Sequence, residues 1–128
     1  MAKTTQKNIV VVEDDIAMRE ILSQKLVKSG FKVKVAEDGT AGLALIEKEK
    51  PDMVLMDVMM PGLDGYEVLE KLRQSSDKKL ANTPVMVLSN LWSKEDRQKA
   101  DTFKVKDYLV KAYLTPDQIV QKLREALV

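Results

Sequence analysis

Four short runs of consecutive apolar residues constrain the fold more than any other feature of this 128-residue chain. A run that is apolar on successive residues is typical of a strand buried on both faces of a sheet. The runs lie at residues 9–12, 53–56, 85–88 and 108–110, and amphipathic segments with helical spacing separate them. This alternation predicts a parallel sheet covered by helices on both faces.

A fifth strand and five helices complete the predicted order. Residues 31–36 alternate apolar side chains with lysine, which fits a half-exposed edge strand. Apolar residues at helical spacing mark helices near residues 18–26, 39–50, 68–72, 94–103 and 116–127. The fourth helix has little apolar face beyond Ala100 and Phe103, so we expect it to be weakly docked. The expected architecture is a single doubly wound α/β domain of the (βα)5 type.

The ends of the chain bear on its organisation and location. We expect residues 1–7, which are polar, to form a flexible N-terminal tail before one domain at residues 8–128. No stretch has the apolar length of a membrane span or of a secretory signal, so we expect a cytoplasmic protein with no membrane contact. The sequence ends without a linker or second domain, as in a stand-alone domain or a fragment of a longer protein.

The composition narrows the chemistry. The chain has no cysteine and no histidine, which excludes serine–histidine triads, thiol nucleophiles and thiolate or imidazole zinc sites. With 21 basic and 20 acidic residues the net charge is +1, which argues against direct nucleic-acid binding by this domain. Carboxylates, lysines, hydroxyls and backbone groups remain, and these favour hard cations bound through oxygen.

Polar or charged residues follow each buried run. Asp14 and Asp15 come just after the first run, Asp57 after the second, Ser89 after the third and Lys111 after the fourth. Any one of them could be only a turn residue or a helix cap. Because the carboxyl ends of parallel strands share one edge, where ligands bind, we expect all of them to converge.

Three carboxylates at one edge point to a bound cation. Two carboxylates about 4 Å apart repel by about 4 kcal/mol at an effective dielectric constant near 20. Mg²⁺ with retained waters removes this repulsion and needs few protein ligands. Mg²⁺ and a lysine around an aspartate suit a phosphoryl group, and the aspartate can itself be the nucleophile that forms an acyl phosphate.

Four sequence motifs, in this order and spacing, resemble the receiver domain of response regulators, the phosphoacceptor half of two-component signalling. They are Val-Val-Glu-Asp-Asp at 11–15, Val-Leu-Met-Asp-Val-Met-Met-Pro-Gly-Leu-Asp-Gly at 54–65, Pro-Val-Met-Val-Leu-Ser at 84–89 and Asp-Tyr-Leu-Val-Lys at 107–111. The resemblance covers residues 8–128. It implies a flavodoxin-like five-stranded parallel sheet of strand order 2-1-3-4-5.

The resemblance also implies roles at the phosphorylation site. Asp57 would be the phosphorylated aspartate, and Lys111 would pair with the phosphoryl oxygens. Asp15 would bind Mg²⁺ directly and Asp14 mostly through water. Asp57 and the backbone carbonyl of Met59 would complete the protein ligands.

Signalling roles follow from the same resemblance. Ser89 would hydrogen-bond the phosphoryl group and act as a switch, with Tyr108 rotating inward behind it. The donor would be a histidine kinase or a histidine phosphotransfer protein, since this chain has no histidine of its own. The output would be a contact with an unknown downstream protein. The domain would be no enzyme beyond its own phosphorylation and slow dephosphorylation.

The sequence departs from the family pattern at three positions. Ala112 follows Lys111 where the family usually has a proline with a cis bond, so we expect either a trans bond with a shifted Lys111 or a strained cis bond. Asn90 stands where a small residue is usual. Lys104 stands where glycine is common, and a left-handed backbone there would cost about 1–2 kcal/mol.

Two apolar residues next to the site bear on how long a phosphoryl group would last. Met59 and Leu91 flank the site and cannot orient an attacking water, so we expect slow self-dephosphorylation.

Two alternative functions are compatible with parts of the sequence. A small-molecule aspartyl-phosphate phosphatase would need a substrate cap, and no insertion is long enough for one. A pseudo-receiver, a protein-binding module without phosphorylation, is the alternative that Asn90 and Ala112 keep open and that the retained acidic, serine and lysine residues argue against.

Overall fold

A computed structural model describes residues 6–60 and 62–127, which form a single five-stranded parallel sheet with helices on both faces. The strand order is β2-β1-β3-β4-β5, as the resemblance implied. The strands are β1 (Asn8–Val12), β2 (Lys32–Ala36), β3 (Met53–Asp57), β4 (Val85–Ser89) and β5 (Asp107–Val110). The doubly wound α/β fold is therefore confirmed.

The expected tail falls only partly on the described residues. Residues 1–5 lie outside them, as do Pro61 of the second motif and Val128. The described part of the tail contacts the domain, since the backbone carbonyl of Lys7 accepts a hydrogen bond from the Lys32 N–H at 2.9 Å. The Gln6 side-chain amide donates to the carbonyl of Gly30 at 3.1 Å.

Six α-helices occur in the described residues, one more than the sequence pattern predicted. They are α1 (Ile16–Lys28), α2 (Gly39–Glu49), α3 (Gly65–Arg73), α4 (Lys78–Ala81), α5 (Lys94–Asp101) and α6 (Pro116–Leu127). The unpredicted α4 is a single turn capped by the Asp77 carboxylate, and Leu80 is its one buried residue. One turn is too short to show a hydrophobic period. Within residues 6–60 and 62–127 no helix is long and apolar enough to cross a membrane.

Alternate residues of the central strands face two separate helical layers. Ile9 and Val11 of β1 point into a core built with α1 and α6, whereas Val10 and Val12 point into a core built with α2 and α3. The strands are apolar on successive residues because both of their faces are buried. This arrangement leaves the ends of the strands as the places where polar side chains can converge.

Helix α5 has a small apolar face, as its sequence predicted. Ala100 is its one buried residue, and Phe103 just beyond it packs against the Tyr66 ring at 6.2 Å between ring centres. Polar contacts supplement this packing, since the Tyr66 hydroxyl donates to the Asp96 carbonyl at 3.3 Å and Lys99 Nζ lies 4.2 Å from the Tyr66 ring centre. Little apolar burial therefore holds α5 to the sheet.

Lys104, between α5 and β5, has a left-handed backbone with φ of 56°, so the cost that the family pattern implied for a non-glycine residue here applies. We expect Lys104→Gly to stabilise the fold by about 0.5–1 kcal/mol. Glycine removes a strain of about 1–2 kcal/mol but makes the unfolded chain more flexible by about 0.5–1 kcal/mol. Urea denaturation of both proteins measures the difference.

A matched control for this substitution lies in α5. Gln98 is exposed in the helix, and glycine there should destabilise the fold by about 0.5–1 kcal/mol because it adds only unfolded-state flexibility. Equal losses of stability at both positions would contradict a strained backbone at Lys104.

Candidate functional site

The carboxyl ends of β1, β3 and β5 bring four charged side chains together. The Lys111 ammonium lies 2.8 Å from Asp57 Oδ2 and 2.6 Å from Glu13 Oε1. The other oxygen of Asp57, Oδ1, accepts a hydrogen bond from the Met59 N–H at 2.8 Å. Glu13, Asp14 and Asp57 each offer a carboxylate oxygen within 4.8 Å of the other two. One edge of the sheet thus carries three carboxylates and one ammonium.

Burial and the neighbouring charges shift the pKa values of two groups in this cluster. Glu13 is 1% exposed and Asp57 is 4% exposed. Burial raises the pKa of Glu13 to about 7, against the lowering effect of Lys111 and of the Asp15 N–H, and the charge of Asp57 raises it further. Burial alone would lower the pKa of Lys111, but its contacts with Asp57 and Glu13 outweigh that effect and raise it.

The donor set fits a hard cation. Although Glu13 Oε1 is close to the Lys111 ammonium, it has no hydrogen-bond partner in the part of the chain described, so their contact is an ion pair with poor hydrogen-bond geometry. A buried carboxylate oxygen that accepts no hydrogen bond is costly unless a charge compensates it. Oxygen ligands without nitrogen or sulfur are those that Mg²⁺ prefers.

The structure places Asp15 differently from the role that the resemblance suggested. Its exposed carboxylate accepts a hydrogen bond from the Met18 N–H at 3.0 Å and caps α1, and it is not among the three clustered acids. Glu13, which the sequence reasoning missed, stands in the cluster with Asp14. The register of the neighbouring strands would have revealed Glu13. Val12 pairs with Met56, so Glu13 and Asp57 each follow a paired residue on adjacent strands.

Ser89 and Tyr108 are connected through one backbone residue. Ser89 is fully buried, and its hydroxyl oxygen accepts a hydrogen bond from the Leu91 N–H at 3.0 Å. The Leu91 carbonyl accepts a hydrogen bond from the Tyr108 hydroxyl at 2.8 Å. The Tyr108 ring is buried and lies 5.7 Å beneath the guanidinium carbon of Arg97 on α5. These contacts link the end of β4 to α5.

The bond between Lys111 and Ala112 is trans, since none of the described peptide bonds is cis. A short 3-10 turn at Lys111–Tyr113 follows directly, and the Lys111 ammonium still contacts Asp57. The strained cis alternative is therefore wrong, and the trans bond is confirmed. The trans bond does not move Lys111 out of the site, since its ammonium contacts Asp57.

Comparison with known sequences identifies similar proteins along most of the chain. The receiver domain profile of response regulators matches residues 9–124. The probable transcriptional regulator ycf27 of Cyanophora paradoxa is 37% identical over 122 residues, covering 95% of this chain and 48% of that protein. Response regulator MprA of Mycolicibacterium vanbaalenii is 38% identical over 119 residues, covering 93% and 49%. The chain spans about half the length of these relatives.

Solved structures show the same fold. The chemotaxis response regulator CheY4 of Vibrio cholerae superimposes with a TM-score of 0.85 at 27% identity, covering 97% of this chain and 100% of that one. The receiver domain of Francisella response regulator 1452 gives a TM-score of 0.84 at 31% identity, covering 95% and 97%. The BeF3-activated receiver domain of Klebsiella pneumoniae RstA gives 0.79 at 31%, covering 94% and 97%.

The two aspartates after Glu13 should respond differently to substitution. We expect Mg²⁺ to raise the melting temperature of the wild-type protein, because a ligand at 100 times its dissociation constant adds about 2.7 kcal/mol to stability. Asp14→Asn should lose most of this increase, whereas Asp15→Asn should keep it because asparagine also caps helices. Thermal denaturation with and without Mg²⁺ measures both variants. If Asp15→Asn lost the increase and Asp14→Asn kept it, Asp15 would be the ligand.

Proposed function

The chain belongs to the response regulator receiver domain family, and on that premise we propose that it accepts a phosphoryl group on Asp57 in a two-component phosphorelay. One observation carries this proposal: Asp57 is buried at the end of β3, where it contacts the Lys111 ammonium and lies beside Glu13 and Asp14. The Asp57 carboxylate can supply the attacking oxygen, and the fixed Lys111 ammonium beside it can stabilise a dianionic phosphoryl product. The neighbouring carboxyl groups outnumber this one ammonium, so a metal cation could bind there as well.

The residues around Asp57 would have different roles in phosphoryl transfer. A carboxylate oxygen of Asp57 would bond to phosphorus while the P–N bond of a phosphohistidine, protonated on its other ring nitrogen, breaks. The P–N electron pair would stay on nitrogen, leaving an acyl phosphate here and a neutral imidazole on the donor. The Met59 N–H and the Lys111 ammonium orient the two oxygens of Asp57. Lys111 would then pair with the phosphoryl oxygens, whose negative charge develops next to it.

We propose that Glu13, Asp14 and Asp57 hold Mg²⁺, with the backbone carbonyl of Met59 as a further ligand. This set replaces Asp15 with Glu13, because the Asp15 carboxylate caps α1. When bound, the metal would neutralise negative charge around the phosphoryl group. The unbonded oxygen of buried Glu13 supports the proposal, since a cation there would compensate a carboxylate oxygen that accepts no hydrogen bond. The pKa of Glu13, which burial raises and the charge of Asp57 raises further, agrees with that reading.

A switch from Asp57 to α5 would pass through Ser89 and Leu91. The Ser89 hydroxyl oxygen accepts the Leu91 N–H, which leaves its own proton available for a phosphoryl oxygen on Asp57. A shift of Ser89 toward that oxygen would move Leu91, whose carbonyl holds the Tyr108 hydroxyl. Phosphorylation would thereby shift a pre-existing equilibrium of the segment 89–106.

The partners follow from the chemistry of the site. The phosphoryl donor would be a histidine kinase or a histidine phosphotransfer protein, because the chain has no histidine. The output would be a contact with a downstream protein on the face that includes α5. The chain would catalyse only its own phosphorylation and the loss of its phosphoryl group.

Intact-mass spectrometry tests the phosphorylation directly. After incubation with Mg²⁺ and phosphoramidate, we expect one phosphoryl adduct per chain, which disappears without Mg²⁺ and in Asp57→Ala. Asp52→Asn is the matched control, since Asp52 lies just before the same strand at its other end, where its carboxylate accepts the Asn8 N–H. A folded wild-type protein that gains no adduct would support the pseudo-receiver instead.

The lifetime of the adduct depends on the residues beside the site. Met59 is 56% exposed and Leu91 is half-buried, and neither side chain can hold a water by hydrogen bonding. We expect slow hydrolysis in the wild type and a several-fold faster loss in Met59→Asn, because an amide can orient the attacking water. The isosteric control Met59→Leu should keep the wild-type rate. Mass spectra taken over time after donor removal give the rates, and equal rates in all three proteins would contradict this account.

A further inference from the structure

Arg19 on α1 makes a contact that the proposed phosphorylation chemistry does not use. Its guanidinium Nη1 donates a hydrogen bond to the backbone carbonyl of Glu13 at 2.8 Å. Glu13 is also held at its N–H, which donates to the Ala36 carbonyl at 3.0 Å, and at Oε2, which accepts the Asp15 N–H at 3.1 Å. The loop between β1 and α1 is therefore fixed around Glu13 from several directions.

Asp14 lacks comparable support for its own side chain. It is exposed, and no hydrogen bond to its carboxylate occurs among residues 6–60 and 62–127, yet that carboxylate lies in the cluster with Glu13 and Asp57. Within those residues its position is therefore supported by the backbone that carries it and by no side-chain hydrogen bond. The peptide plane that joins Glu13 to Asp14 contains the carbonyl that Arg19 binds, so Arg19 controls the orientation of the group that leads into Asp14.

We propose that Arg19 is a positioning residue that holds the peptide between Glu13 and Asp14 and so preorganises both carboxylates for Mg²⁺. This inference rests on the proposed function, because it concerns the same metal site. Residues that orient metal ligands typically contribute 10–100-fold to metal affinity. A hydrogen bond from a charged donor, such as this guanidinium, is also stronger than one between neutral groups.

Electrostatics alone would give Arg19 the opposite effect. A guanidinium bound to the backbone carbonyl of Glu13 adds a positive charge to the acidic loop and repels an incoming cation, so removing its charge should tighten Mg²⁺ binding. A positioning role predicts weaker binding when Arg19 is removed. The sign of the change therefore separates the two effects.

Isothermal titration calorimetry of the full chain with MgCl₂ measures this sign. We expect Arg19→Gln to raise the dissociation constant of Mg²⁺ about tenfold. Arg19→Lys, which keeps the charge without the planar guanidinium, should also bind more weakly than wild type. Lys28→Gln is the matched control: it removes one positive charge from the exposed far end of the same helix and should leave the constant unchanged.

Phosphorylation provides a second readout that loss of folding would not reproduce. The Mg²⁺ concentration for half-maximal phosphorylation by phosphoramidate should rise in Arg19→Gln by the same factor as the dissociation constant, while the rate at saturating Mg²⁺ returns to near the wild-type value. Circular dichroism melting without Mg²⁺ shows whether each variant is folded, and Arg19→Lys carries the test if Arg19→Gln is not.

The outcomes separate the inference from the function on which it rests. Equal or tighter Mg²⁺ binding by the folded Arg19 variants overturns the positioning role and leaves the metal site in place. A wild-type chain that binds no Mg²⁺ overturns the metal site itself, and the role of Arg19 with it. Weaker binding in both Arg19 variants, with Lys28→Gln unchanged, supports the inference.

Discussion

The structure depends on a single ammonium group, that of Lys111, which faces two buried carboxylates. It contacts Glu13 after β1 and Asp57 at the end of β3, so it ties β5 to the two central strands at the edge where the site lies. Breaking a buried ion pair by removing one partner costs roughly 3–5 kcal/mol, because it leaves an unpaired charge in the interior. With Asp14 added, one ammonium group still faces three carboxyl groups. The same shortage of positive charge that strains the site makes it receptive to a cation.

The sequence was sufficient for the fold because its signals were long and consistent. Each central strand is apolar on successive residues, and each is buried on both faces, so burial and sequence pattern agree. The prediction failed where a signal was short or depended on pairing. The single turn of α4 has one buried residue, Leu80, and therefore no period. The place of Glu13 beside Asp57 follows from the pairing of β1 with β3, and one strand read alone does not show its partner's register.

Two departures from the family pattern change the local backbone without displacing the Lys111 ammonium from the site. Lys104 has a left-handed backbone in the loop before β5, at the opposite end of that strand from Lys111, which contacts Asp57. Ala112 removes a proline directly beside the site, yet the 3-10 turn that begins at Lys111 leaves its ammonium on Asp57 and Glu13. The electrostatic demand of two buried carboxylates specifies where the lysine must be, and more than one backbone geometry satisfies it.

The two halves of the edge differ in how firmly they are held, and this difference suits a switch. Around Glu13, the acidic loop is held by a hydrogen bond from its N–H to the Ala36 carbonyl and by hydrogen bonds that Asp15 and Arg19 donate to Glu13. Beyond Ser89 the chain runs into α5, which buries only Ala100 and is joined to the site through Leu91 and Tyr108. Segments with little buried apolar surface open at low free energy, whereas well-packed segments do not. Under the proposed function, a phosphoryl group on Asp57 would therefore leave the acidic loop in place and shift the α5 side of the edge.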